Sequence, residues 1–146
     1  MIDMEKVDQL CQRWYDKRKY AHVHRVASIA AQDSIVPYLS QEDRNAVVAV
    51  ALAHDLLEDT KCPVKELARL GVDVDSVNLL THLKNDCSYA DYVLKIMQSG
   101  NMKAILVKIA DMKDHLQQKA TLSPKLAQKY AAVLPLFIRS ESQAAI

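Results

Sequence analysis

Apolar residues recur along this chain at intervals of three and four, the spacing of one buried helical face. Val7, Leu10, Cys11 and Trp14 form such a stripe over residues 3 to about 17, and Val23, Val26, Ala27, Ala30 and Ala31 repeat it over 20–34. The pattern then changes. Ala46 to Ala53 are eight apolar residues in succession, which predicts the most buried helix of the fold, running from about 41 to 59. Ser40, followed by Gln-Glu-Asp, supplies it with an N-cap and an acidic first turn. Pro63 opens a short helix that Gly71 stops, and further helices are predicted over 74–83, 89–97 and 102–119. A last one starts at Pro124 and reaches about 138, with Pro135 as a kink and a tail free to fray from about Glu141.

Composition sharpens this reading. The chain has 146 residues, half of them hydrophobic, with only two Gly and four Pro, which favours an all-α, compact helical bundle forming a single domain over 1–146. The net charge of +1 gives no bulk attraction to nucleic acid or to a membrane surface. Cys11, Cys62 and Cys87 are isolated and odd in number, which suits a reducing cytoplasm better than a disulfide framework. The N-terminus lacks an apolar signal core, and no apolar run approaches the roughly 20 residues that span a bilayer. The expectation is a soluble cytoplasmic protein, with homo-oligomerisation left open.

The candidate chemistry sits where the apolar helix ends. His54 and Asp55 are followed by Glu58 and Asp59, and steps of four stack His54 over Glu58 and Asp55 over Asp59. Ionisable groups at the end of so buried a helix need a partner, and a metal ion is an economical one. Two other segments offer ligands. His22 lies in YAHVHRVA, and Asp111 lies in VKIADMKDHL, whose apolar surroundings turn that carboxylate inward.

The order His22, His54-Asp55, Asp111 resembles the H…HD…D signature of the HD-domain metal-dependent phosphohydrolases. HVHRVA, AHDLLEDT and VKIADMKDHL are similar to motifs of the guanosine polyphosphate hydrolases, both the small stand-alone members and the hydrolase domains of RelA/SpoT proteins. The resemblance covers roughly residues 10 to 135 and implies an HD-type helical bundle. It also implies His22, His54, Asp55 and Asp111 as metal ligands and Glu58 with Asp59 as the catalytic acidic pair. Two imidazoles and two carboxylates suit a divalent ion of intermediate hardness, manganese first, with zinc, iron(II) or nickel as alternatives. Such an ion acts as Lewis acid and lowers the pKa of its bound water, and Glu58 or Asp59 is placed to orient or deprotonate that water.

A polyphosphate needs cations, and Arg18, Arg25, Lys84 and Lys108 are the candidates, with Lys19 beside Arg18 ahead of the second helix, joined by His115 four residues after Asp111. Tyr89 and Tyr92 offer rings that either stack on a base or pack in the core. His24 and His82 read as surface or hydrogen-bonded histidines more than as ligands of a second metal. The chain departs from the alarmone hydrolases in two places. Val23 follows the first histidine where the long enzymes have proline, and His115 stands where asparagine is usual. Three functions therefore remain: a hydrolase removing the 3′-pyrophosphate of guanosine tetraphosphate, an HD nucleotidase or pyrophosphatase on another nucleotide, and a non-catalytic metal- or nucleotide-binding helical module.

Overall fold

Six of the helices among the described residues begin at a short polar side chain. In a computed structural model describing residues 2–83, 87–118, 123–125 and 127–130, Asp3, Asp16, Ser40, Asp73, Ser88 and Asn101 each accept a hydrogen bond from a backbone N–H of the helix that follows. The helices are α1 (Met4–Trp14), α2 (Lys17–Ala31), α3 (Gln41–Ala53), α4 (Leu56–Asp59), α5 (Val64–Arg69), α6 (Val74–Leu80), α7 (Tyr89–Gln98) and α8 (Met102–Gln117). A 3-10 turn at Val36–Tyr38 joins α2 to α3, and residues 124–125 and 127–130 are helical as well. There is no strand among the described residues. Gly71 ends α5 at φ 80°, a left-handed conformation that costs glycine little.

α3 is the central element, as its unbroken apolar run implies. It packs on α1, α2, α6 and α8, and α2 packs in turn on α8. Val47, Ala49, Val50, Ala51, Leu52 and Ala53 are all buried, and the buried apolar residues join in one continuous cluster. Val23 and Val26 of α2 and Ile105, Leu106, Ile109 and Met112 of α8 all belong to that cluster and are essentially inaccessible to solvent. No helix among the described residues is long and apolar enough to cross a membrane.

Several predicted boundaries move, each for a local reason. The helix expected over 41–59 is broken at His54-Asp55 into α3 and α4. His54 Nδ1–H donates to the Ala51 carbonyl at 2.6 Å, so the ring takes a hydrogen bond next to where the main chain leaves the helix. α1 stops at Trp14 rather than 17, because Tyr15 is extended and donates its hydroxyl to Leu52 O at 2.8 Å. Asp16 then caps α2, which starts at Lys17 instead of Tyr20 and ends at Ala31, itself exposed rather than part of the buried stripe. α6 ends at Leu80, where Thr81 turns extended and bonds back to Val77 O. The Pro135 kink and the tail from Glu141 lie outside the described residues.

Two substitutions separate core from cap. Ile105→Ala should lower the unfolding free energy by about 2–5 kcal/mol, and Ser40→Ala by about 1 kcal/mol. Urea unfolding followed by helical circular dichroism measures both, and equal losses would contradict the place given to Ile105 in the core.

Candidate metal centre

Three elements deliver four ligand-type side chains to one point. His22 comes from α2, His54 and Asp55 from the break between α3 and α4, and Asp111 from α8. One ligand atom from each lies within 4.8 Å of all the others. His22 Nε2 is 3.0 Å from Asp111 Oδ1 and 3.6 Å from Asp55 Oδ2. His54 Nε2 is 3.3 Å from Asp55 Oδ2 and 3.4 Å from Asp111 Oδ1. His22, His54 and Asp111 are buried, and Asp55 is half-buried.

The outward nitrogens fix how the rings face the cluster. His54 Nδ1–H is held by the Ala51 carbonyl, and His22 Nδ1 lies 2.7 Å from Asp114 Oδ2. A carbonyl and an ionised carboxylate only accept, so both Nδ1 atoms carry the proton and both Nε2 atoms point inward. His54 Nε2 is buried without a hydrogen-bond partner, although two carboxylates stand within 3.4 Å of it. A nitrogen set among acceptor oxygens in this way needs either a proton or a cation between them, and this nitrogen and oxygen set fits a divalent metal.

The electrostatics point the same way. Burial alone would pull the His54 imidazolium pKa down, but the Asp55 and Asp111 carboxylates overrule it and push it up to about 9. Asp111 would be raised by burial, yet the Lys108 ammonium and the surrounding histidines hold it well below the usual carboxylate range. Asp55 is likewise lowered against its burial, chiefly by the charge of His54. Without a metal, a proton on His54 therefore holds the two carboxylates together.

The other predicted residues spread around this centre. Glu58 and Asp59 line a cavity of about 270 Å³ together with His54, Asp55 and Asp111. Glu58 Oε1 accepts the His82 backbone N–H at 2.6 Å, and burial with the charges of Asp55 and Asp59 raises its pKa. Lys108 is buried, 3.3 Å from Asp111 Oδ2, with Tyr92 and Tyr89 ring centroids 5.0 and 5.6 Å from its ammonium. His115 Nε2 is 3.4 Å from Asp111 Oδ1, and its ring stacks on Tyr130 at 5.2 Å. Arg18 lines a second recess of about 300 Å³ on the far side of His22. Arg25 borders that recess too, with its guanidinium in a two-pronged pair to Asp114. Lys84 lies outside the described residues.

His24 and His82 stand apart from the four-residue cluster. His24 Nε2 meets Asp8 at 2.6 Å, and the His82 ring bonds Cys87 O and packs on Tyr92. Tyr92 is buried and donates to Leu80 O, whereas the Tyr89 ring centroid lies 5.6 Å from the Lys108 ammonium.

One group escaped the sequence reading, and another was noted there only as a cation preceding the second helix. Lys19 bridges Asp55 Oδ2 at 3.1 Å and Asp59 Oδ2 at 2.9 Å, and these carboxylates raise its pKa despite burial. Asp114 is 1% exposed, and Arg25 and His22 hold its carboxyl below the usual range against the opposing effect of burial. The available signals were helical offsets of three, Lys19 before His22 and Asp114 after Asp111.

No protein-family model matches the chain, and no curated protein gives a significant sequence match. Among solved structures it is similar to one described as a metazoan ortholog of SpoT that hydrolyzes ppGpp and plays a role in starvation responses. The two share 19% identity over 97% of this chain and 84% of the other, with a TM-score of 0.60. The likeness is one of fold: this chain adopts the helical HD-domain fold of that protein.

Because His54 is protonated below about pH 9 in the metal-free protein, a bound divalent ion must displace that proton. Manganese affinity should therefore rise about tenfold per pH unit between neutrality and that value. Calorimetric titrations in buffers of different ionisation enthalpy check this, and a pH-independent affinity would contradict it. His54→Ala and Asp55→Ala should each abolish high-affinity binding.

Proposed function

We propose that this protein is a metal-dependent phosphohydrolase acting on a small nucleotide, with removal of the 3′-pyrophosphate of guanosine tetraphosphate as the leading reaction. One juxtaposition carries the reading. A buried cluster of two imidazoles and two carboxylates, with His54 Nε2 lacking a hydrogen bond, opens into the cavity that Glu58 and Asp59 line. The ppGpp hydrolysis described for the structural neighbour supports the same reaction class.

A divalent cation, manganese before zinc, iron(II) or nickel, supplies Lewis acidity and a water of lowered pKa when held by His22, His54, Asp55 and Asp111. Glu58 takes the proton of the attacking water. Its raised pKa makes it a stronger base than an exposed glutamate, and the His82 N–H fixes the direction of its carboxylate. Asp59 is tied to Lys19 and serves orientation more than proton transfer. Lys19 and Lys108 bring positive charge to the cavity wall, where phosphate oxygens need it. Tyr89, Tyr92 and Tyr130 line the same cavity and offer aromatic faces to a nucleobase.

A second nucleotide is favoured by one observation. His115 replaces the asparagine usual in the alarmone hydrolases, and its stacking on Tyr130 narrows the place a guanosine would approach. An HD nucleotidase or pyrophosphatase with a different base preference is the reading this supports.

The test is release of phosphate and pyrophosphate from guanosine tetraphosphate, a 5′-monophosphate, a 5′-triphosphate and a cyclic dinucleotide, with manganese or with chelator. Manganese-dependent pyrophosphate release from guanosine tetraphosphate alone is the expected result. Turnover of another member moves the substrate, and silence across the panel with metal bound contradicts a nucleotide hydrolase. Glu58→Gln should keep the metal while losing about 10²- to 10⁴-fold in turnover.

A further inference from the structure

His22 is held at both of its ring nitrogens by the same helix. Asp111 and Asp114, three residues apart on α8, stand 3.0 Å from Nε2 and 2.7 Å from Nδ1 respectively. Asp114 is 1% exposed, and its remaining contacts come from Arg25, whose Nε reaches Oδ1 at 2.8 Å and whose Nη2 reaches Oδ2 at 3.1 Å. A bidentate guanidinium fixes the plane of a carboxylate as well as neutralising it. His54 has the same Nδ1–H arrangement, but its acceptor is the neutral carbonyl of Ala51. One imidazole of the cluster is thus backed by a full charge and the other by a peptide dipole. A carboxylate acceptor makes the opposite nitrogen of the ring a better donor to a metal and restrains its orientation.

We propose that Asp114, braced by Arg25, is a positioning residue that fixes the Nδ1–H form and ring plane of His22 and thereby strengthens the hold of the cluster on a divalent cation. The inference rests on reading the four-residue cluster as a metal centre. It assigns Arg25 a place behind His22, acting through Asp114, and it gives a role to a carboxylate that is only 1% exposed although it borders the recess of about 300 Å³.

The experiment titrates manganese into the chelator-treated full chain and into Asp114→Asn, Asp114→Ala and Arg25→Met, with circular dichroism confirming that each is folded. Asp114→Ala should bind about 10- to 100-fold more weakly. Asp114→Asn, which keeps the size and an acceptor oxygen, should fall between it and the parent, and Arg25→Met should weaken binding in the same direction by less. In the zinc-loaded parent, the His22 Nδ1–H should give an exchange-protected imidazole signal in proton–nitrogen spectra that Asp114→Ala loses. A role in stability alone would leave both the affinity and the tautomer unchanged. Folded Asp114 variants that bind manganese as tightly as the parent would overturn the proposal. Should Asp114→Ala not fold, Asp114→Asn decides alone. Failure of the unaltered chain to take up manganese would remove the metal-centre reading and this inference together, whereas equal affinities remove only the inference.

Discussion

The burial of two carboxylates on one turn of α8 is the constraint around which the rest of the structure is arranged. Asp111 is 6% exposed and Asp114 1%, in a helix whose other buried residues, Lys108 apart, are apolar. Carboxylates in such a position keep their charge only when cations and hydrogen-bond donors surround them. His22 and Lys108 do this for Asp111, and Arg25 with His22 does it for Asp114. α2 must lie against α8 for any of this to work, and α3 must end where His54 and Asp55 enter the same space. The packing of the three central helices and the assembly of the charged cluster are one event.

That event also explains the break in the apolar helix. A continuous helix through 59 would keep all four ionisable groups on a single surface. Ending α3 at Ala53 and starting α4 at Leu56 sends His54 and Asp55 into the cluster, with Glu58 and Asp59 at its rim. Lys19 joins the two tiers by bridging Asp55 and Asp59, so Asp59 is oriented from α2, while Glu58 is held by the His82 N–H. Two recesses of about 270 and 300 Å³ flank the cluster. The smaller has tyrosines and lysines along its wall, and the larger is bordered by Arg18 and Arg25.

The fold class was legible in the sequence because it is written in period and composition. The run from Ala46 to Ala53, the caps at Ser40 and the stop at Gly71 depend on residues close in the chain. The convergence of His22, His54, Asp55 and Asp111 was anticipated from motif order, and their atoms do meet. Less was legible wherever a partner comes from another helix. Lys108 was read as a cation for phosphate, with no sign that Tyr89 and Tyr92 of α7 would bury it, and Asp114 gave no sign of burial because only the rotation of α8 against α2 decides it. Arg25 was counted among the free cations for the same reason. Helix ends slipped where a side chain, such as Asp16 or His54, took the hydrogen bond that settles the boundary.

The central claim is that the two histidines and two aspartates form a cation site with both Nε2 atoms turned inward. Anomalous diffraction from manganese-soaked crystals tests it most directly. The account predicts one strong peak enclosed by His22, His54, Asp55 and Asp111, with Lys19 and Glu58 beside it rather than bound to it. No peak there, or a peak held by Glu58 and Asp59 at the rim, would contradict it.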